Sequence, residues 1–262
     1  MTEALRIRLV AARPETLAEF YCTALGFSRS GNLVAHDPFC GTPVSGCCLR
    51  LGDQFVEIVR FERSTPSSTQ LIASNDPHFQ HFAIAVPDMP RAMQHLSTRT
   101  GWTAISAGGA RQLPRSSGGA IAFKFRDPEG HPLELLQFPK GNMSEVWCNK
   151  IQLFMGIDHT AIVVGNLQAS ISFLEEEGFE KTAASLNKGA EQAALDGVTA
   201  PVVDVVALSR GVQPPHLELL HYRQPAAGVA PRLADDCVLA TRTILRREGE
   251  GVIGPDGHRF IT

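Results

Sequence analysis

His81-Phe82-Ala83-Ile84-Ala85-Val86 and His159-Thr160-Ala161-Ile162-Val163-Val164 are the two stretches that decide the fold. Each is a short apolar run in which smaller residues alternate with larger ones, a pattern typical of a buried strand. Each is followed by a segment with helical apolar spacing and then by a glycine-aromatic pair, which fits a glycine helix cap before a new strand. Gly101 lies 20 positions after His81, and Gly178 lies 19 positions after His159. This agreement indicates an internal repeat.

Each repeat also ends in an apolar strand that contains one glutamate. Glu134 stands in Leu133–Leu136 and Glu218 in Leu217–Leu220. A further unit, at the start of the chain, opens at Arg6 and closes with Glu57, although its first position is arginine in place of histidine. A fourth unit is abbreviated: Val238–Thr241 is its expected opening strand, Thr241 would take the histidine position, and Ile261 would stand where the glutamate is expected.

Composition places the chain among folded globular proteins. It has 262 residues, 44% hydrophobic and 19% charged, with a net charge of -3, and its few basic clusters are short, so a broad nucleic-acid surface is not expected. The first residues lack a signal-peptide pattern and no apolar run is long enough to span a membrane, so a cytoplasmic location without membrane contact is expected. The six cysteines are scattered, which favours buried thiols over a disulfide framework.

The repeated histidines and glutamates predict a metal site. On a strand alternate residues share a face, so His81 lies with Ala83 and Ala85 while larger residues point the other way. An ionised glutamate among strand leucines is costly unless it is paired or bound to a cation, and a neutral imidazole is a common metal ligand. We therefore expect a divalent metal, with Zn²⁺, Ni²⁺, Fe²⁺ and Mn²⁺ all open, at a site formed by His81, Glu134, His159 and Glu218.

These motifs resemble the vicinal oxygen chelate superfamily, which includes glyoxalase I, bleomycin-resistance proteins and extradiol dioxygenases. The resemblance rests on His81 to Met89, Phe125 to Leu136, Asp158 to Val164 and His216 to Leu220. It implies an α+β fold in which tandem βαβββ modules form two cup-shaped mixed sheets, the fourth module being abbreviated. The expected organisation is two modules in 1–138 (about 5–63 and 79–138), a linker in 139–156, and in 157–262 one module (about 157–223) followed by the abbreviated fourth.

The resemblance leaves two ways of pairing the modules. If modules two and three share a cup, as in tandem-fused glyoxalases, His81, Glu134, His159 and Glu218 meet in one place. If consecutive modules pair, as in extradiol dioxygenases, Glu57 joins His81 and Glu134 instead. Under the first pairing the other cup, with Arg6, Glu57 and Thr241, has lost its metal.

Three functions follow from the resemblance. The first is a metal-dependent lyase or isomerase of glyoxalase type, in which Glu134 and Glu218 move a proton at a metal-bound enediolate of a small substrate with vicinal oxygens. The second is an Fe(II) or Mn(II) extradiol-type dioxygenase, and the third is a binding or resistance protein that uses the cup without chemistry. The expected partner is a small-molecule substrate, and a homodimer is also considered. Predicted substrate contacts are Arg6, Gln112, Ser116 and Ser117, and the segment from Asn187 to Gln192 is a comparable loop in module three.

Overall fold

The computed structural model describes residues 5–62, 71–115, 118–139, 141, 145–148, 150–229, 232–246 and 249–262. Within these ranges Cys22, Cys40, Cys47 and Cys237 are free thiols. None of the helices in the described part of the chain combines the length and the apolarity needed to cross a membrane.

The helices and strands follow the repeat. In unit one they are β1 (Arg6–Val10), α1 (Pro14–Leu25), β2 (Ser28–His36), β3 (Pro43–Leu51) and β4 (Gln54–Phe61). In unit two they are β5 (Gln80–Ala85), α2 (Met89–Ser97), β6 (Thr103–Ala104), β7 (Arg111–Gln112), β8 (Ile121–Arg126) and β9 (Pro132–Gln137), followed by α3 (Glu145–Cys148). In unit three they are β10 (Gly156–Val163), α4 (Leu167–Glu176), β11 (Glu180–Lys188), α5 (Ala190–Asp196), β12 (Val202–Ser209) and β13 (His216–Gln224). The last part of the chain adds β14 (Arg242–Ile244), β15 (Gly251–Ile253) and β16 (Arg259–Ile261).

The strands form two open mixed sheets, as the fold class predicted. Sheet A has the order β15-β16-β14-β1-β4-β3-β2, and sheet B has the order β11-β12-β13-β10-β5-β9-β8-β6, with β7 beside β8. Sheet A therefore combines units one and four, and sheet B combines units two and three. The consecutive pairing, which would join Glu57 to His81, is not the arrangement in the structure.

The centre of sheet B is built from the two histidine-bearing strands. β5 and β10 are antiparallel neighbours, with His81 opposite Ala161 and Ala83 opposite His159. The closing strands lie outside them in parallel register, so that Glu134 is opposite Ala83 and Glu218 is opposite Ala161. Residues that are opposite each other in a sheet share a face, and the histidines and glutamates therefore lie on one face.

The other face of sheet B packs against the helices. Phe82 and Ile84 belong to the main hydrophobic cluster together with Ala92 and Leu96 of α2, whereas Ala83 belongs to a smaller cluster on the histidine face. The large residues of the strand therefore supply the core, and the small ones leave space above the sheet.

The turn before the closing strand of unit two holds unit one in place. His131 donates from Nε2 to the backbone oxygen of Val10 (3.0 Å) and from Nδ1 to Asp127 (2.8 Å). Glu129 accepts from the backbone nitrogens of Ala12 and Arg13 at the start of α1. A carboxylate at this position satisfies free N–H groups and complements the helix dipole.

The last hairpin of the chain makes the equivalent contacts to unit three. His258 donates from Nε2 to the backbone oxygen of Val163 (2.7 Å), and Asp256 accepts from the backbone nitrogens of Gly165 and Asn166 at the start of α4. One hairpin of each sheet thus contacts the start of a helix that belongs to the other sheet. The shortened fourth unit therefore helps to hold the two sheets together.

The opening strand of unit four was predicted at the wrong place. Val238–Thr241 contains no strand and β14 begins at Arg242; Val238 and Ala240 are buried, but they lie in a turn and in irregular backbone. Arg242, not Thr241, lies opposite Arg8 of β1, in the position that His159 takes in sheet B. Ile261 is paired with Ile244, as Glu218 is with Ala161, so the expected loss of the acid at that position is confirmed.

Sheet A has buried ion pairs in the region that corresponds to the four candidate ligands of sheet B. Arg8 contacts Glu57 (2.7 Å), and Arg242 contacts Asp37 (2.9 Å). Burial lowers the pKa of Arg242 to about 10, against the opposing effect of Asp37. Each of these charges has its counter-ion within the protein, as burial requires.

Candidate metal centre

Three ligand atoms converge at the centre of sheet B. His81, Glu134 and His159 each offer one nitrogen or oxygen atom within 4.8 Å of the others, and all three residues are buried. The rings of His81 and His159 lie 5.7 Å apart between centroids. Because the two histidines come from different units, this convergence depends on the antiparallel pairing of β5 with β10.

His81 is a buried imidazole whose surroundings suit a metal ligand. Its Nε2 lies 2.9 Å from an oxygen of Glu134, whereas its Nδ1 has no hydrogen-bond partner among the described residues, and the side chain is 2% exposed. A buried polar atom is normally hydrogen-bonded, so an imidazole in this state requires an explanation. A cation between the imidazole and the carboxylate would satisfy both groups. Burial lowers the pKa of His81 against the opposing effect of Glu134, which keeps the ring neutral as metal binding requires.

His159 is oriented by the acid that precedes it. Its Nδ1 donates to Asp158 (3.0 Å), while its Nε2 lies 3.6 Å from Glu218. Metal-binding histidines commonly donate their second N–H to a carboxylate, which fixes the ring. Burial opposes charge on His159, but Glu218 and Asp158 outweigh it and raise the pKa of the ring to about 9. The same contact lowers the pKa of Glu218 to about 2 despite its burial, with a further contribution from His216.

The four residues line a cavity of about 710 Å³ above sheet B. Leu113, Ala120 and Leu136 of unit two form an apolar wall together with Leu195 of unit three. Polar side chains from unit three complete the lining, and they include Thr182, Ser185, Asn187, Gln192 and Ser209. The volume suits a small organic ligand, and an apolar wall with a few convergent polar groups is typical of a binding site.

The predicted substrate contacts lie at different distances from this cavity. Arg6 is in sheet A, with its guanidinium 4.4 Å above the ring of Phe55, and it does not line the cavity. Gln112 donates to the backbone oxygen of Gly119, just outside the lining, and Ser116 and Ser117 lie outside the described residues. Asn187 and Gln192 do reach the cavity.

Sequence reasoning missed a buried charged network beside the ligands. Lys124 of β8 lies opposite Glu134 and contacts Asp196 at 2.7 Å. Asp196 also accepts from Gln192 (2.7 Å) and from the hydroxyl of Tyr222 (2.9 Å). The sequence Phe123-Lys124-Phe125 contains a pattern that could have revealed it. Alternate residues of a strand face opposite sides, so Lys124 lies on the face of the sheet opposite to that of the two phenylalanines.

Asp158 and His216 were also missed. The register of β10 with β5 shifts between Ile157 and His159, so Asp158 is the extra residue of a β-bulge and lines the cavity beside His159. Strict alternation would have placed it on the other face, and a bulge is not visible in a single sequence. His216 is the first residue of β13, lies opposite His159, and faces the cavity.

A family model described as Glyoxalase/Bleomycin resistance protein/Dioxygenase superfamily matches residues 4–135, half of the chain. The chain belongs to this superfamily. The match covers units one and two, whereas the cavity of sheet B is formed by units two and three. The match includes two of the four candidate ligands, His81 and Glu134.

Solved structures share the fold of most of the chain. Glyoxalase I from Zea mays is 16% identical, with a TM-score of 0.54 over 86% of this chain and 68% of that chain. A variant of glyoxalase I from Zea mays is 15% identical, with a TM-score of 0.58 over 99% of this chain and 92% of that chain. A candidate dioxygenase from Bacillus subtilis is 15% identical, with a TM-score of 0.52 over 93% of this chain and 70% of that chain. At such identities the likeness shows the fold alone. No curated protein matches the sequence.

Proposed function

We propose that the protein is a divalent-metal-dependent enzyme of glyoxalase type, a lyase or isomerase that transfers a proton within a small substrate bearing vicinal oxygens. The observation that carries the proposal is the convergence of His81, Glu134, His159 and Glu218 on one cavity, with Nε2 of His81 against Glu134 and Nδ1 of His81 lacking a hydrogen-bond partner among the described residues. The expected partner is a small molecule. The cytoplasmic location of the protein and its assembly into a homodimer remain predictions from the sequence.

The residues present fit a divalent cation. Two imidazole nitrogens and two carboxylate oxygens suit Zn²⁺, Ni²⁺, Fe²⁺ or Mn²⁺ alike. His81, Glu134 and His159 would form the inner part of the set and Glu218 its more exposed member, with a side chain 21% exposed. When bound, such a cation would polarise the substrate oxygens and stabilise negative charge that develops on them.

The two glutamates have surroundings that suit different tasks. Glu134 is enclosed and in contact with His81, whereas Glu218 faces the open part of the cavity at 3.6 Å from His159 and 3.7 Å from His216. A base that transfers a proton must reach the substrate and move between partners, which Glu218 is better placed to do. Glu134, on the opposite closing strand, is the candidate for the second proton-transfer position.

A dioxygenase is the second candidate function, and one observation favours it. His81, His159 and Glu134 alone form a compact group of two histidines and one carboxylate, the ligand set of non-haem Fe(II) oxygenases. Fe(II)-loaded protein that consumes O₂ with a catechol substrate would support this candidate. Proton exchange at a hydroxycarbonyl substrate without O₂ consumption would support the glyoxalase type.

Metal content tests the shared part of both functions. We expect protein purified without chelator to contain divalent metal, and His81→Ala and His159→Ala each to contain less of it than the wild type. His36→Ala is the matched control, because His36 is an exposed strand histidine of sheet A. Circular dichroism would verify that each variant is folded. If both cavity variants retained the metal content of the wild type, the proposed site would be wrong.

A further inference from the structure

A second group of donor atoms lies beside the first, towards the open part of the cavity. Asp158, His159 and His216 each offer one ligand atom within 4.8 Å of the others. Nε2 of His216 lies 3.9 Å from Oδ2 of Asp158 and 3.7 Å from Oε1 of Glu218. In tetrahedral sites with metal–ligand bonds of about 2.1 Å, ligand atoms are separated by about 3.4 Å. Movements of a few tenths of an ångström would bring Nε2 of His216 to that spacing from the carboxylate oxygens of both Asp158 and Glu218.

Glu218 stands between two imidazoles and turns one oxygen to each. Its Oε2 is the atom 3.6 Å from Nε2 of His159, and its Oε1 is the atom 3.7 Å from Nε2 of His216. Both distances are too long for hydrogen bonds. A carboxylate in this orientation can bridge two cations, which lie about 3.5–4 Å apart in two-metal sites.

Asp158 is held in position by its neighbours. Its Oδ1 accepts from Nε1 of the buried Trp147 (3.0 Å), and its Oδ2 accepts from Nδ1 of His159. The residue is 6% exposed and sits in the bulge of β10. A carboxylate oxygen has two lone-pair directions, so Oδ2 can keep the hydrogen bond to His159 and still bind a cation.

The charges of the cavity favour a second cation. Three carboxylates face it within the described lining: Glu134, Asp158 and Glu218. Lys124 is already paired with Asp196. One divalent ion at His81 and His159 would neutralise two of the three carboxylates, and His159 would have to be neutral to bind it. One negative charge would then remain beside His216.

We propose that Asp158, His216 and Glu218 bind a second divalent cation, of the Zn²⁺ or Mn²⁺ type, with Glu218 bridging it to the first. The proposal rests on the proposed function for the first ion. Two carboxylates and one imidazole leave coordination positions for water or substrate. The side chain of His216 is 26% exposed, so the second ion would be accessible from solvent.

Zinc stoichiometry tests the proposal without a substrate. Metal-free full-length protein would be dialysed against Zn²⁺ and its zinc content measured by mass spectrometry. We expect about two ions per chain for the wild type, and about one each for His216→Ala and His81→Ala. His221→Ala is the matched control on the same strand, since His221 pairs with Asp204 outside the cavity, and it should keep about two.

The outcomes separate the two sites. A single ion that His81→Ala removes and His216→Ala retains would overturn the second site and leave the proposed function standing. A single ion that His216→Ala removes and His81→Ala retains would support binding at Asp158 and His216 but refute the first site. Asp158→Asn keeps the size of the side chain and weakens its donor, so it should lower zinc content as His216→Ala does if the second site is correct.

Discussion

The buried pair of Lys124 and Asp196 allows a quantitative test of the charge network beneath the cavity. Both side chains are at most 5% exposed, and Asp196 has three donors at 2.7–2.9 Å. Asp196→Asn preserves the shape and still accepts from Tyr222, but it leaves the ammonium without its counter-ion. Breaking a buried pair from one side costs about 3–5 kcal/mol, because the remaining charge stays desolvated.

Removing both charges should cost less than removing one. In Lys124→Met/Asp196→Asn no buried charge of this pair is left, and such replacements are often close to neutral. We therefore expect the double variant to be more stable than Asp196→Asn alone, with a coupling energy of about 2–3 kcal/mol between the two positions.

Urea denaturation followed by circular dichroism would measure the free energy of unfolding of the wild type, both single variants and the double variant. Asp204→Asn is the matched control, because its partner Arg223 is largely exposed and such pairs contribute about 0–1 kcal/mol. The reasoning is refuted if Asp196→Asn costs no more than this control, or if the effects of the two single substitutions simply add.

Three further predictions concern stability. Burial lowers the pKa of His258 to about 4, so protonation of this residue favours the unfolded state. The free energy of unfolding should therefore decrease by up to about 3 kcal/mol as the pH falls from 6.5 to 4. Unfolding titrations of His258→Asn should lack this part of the pH dependence. The pKa of His131 is raised, because the effect of Asp127 outweighs that of burial. The stabilisation that protonated His131 gives the folded state should be complete below pH 6.5 and should be lost as the pH rises through its folded-state pKa. The difference in stability between wild type and His131→Asn should therefore shrink at alkaline pH. Gly46→Ala would place a Cβ atom 1.9 Å from the backbone oxygen of Ile58; we expect a loss of about 1–3 kcal/mol or more by thermal unfolding, and an unchanged melting temperature would contradict the close approach of these strands.

Much of sheet B was predictable because its information is local. The alternation around His81 and His159 identified the strands and the face that each histidine takes, and repeated spacing placed Glu134 and Glu218 at matching positions. The closing strands β4, β9 and β13 also lie where the repeat predicted them. These features depend on the period of a strand and the length of a unit, both of which are written in a single sequence.

The sequence by itself thus determined the repeated unit, the fold class and four candidate ligands. It left open which units share a sheet, because pairing depends on contacts between residues far apart in the chain. Tertiary structure decided that β5 lies beside β10 and that Glu57 pairs with Arg8 in the other sheet. It also brought Asp158 and His216 to the cavity, through a bulge and a strand register that no local pattern records.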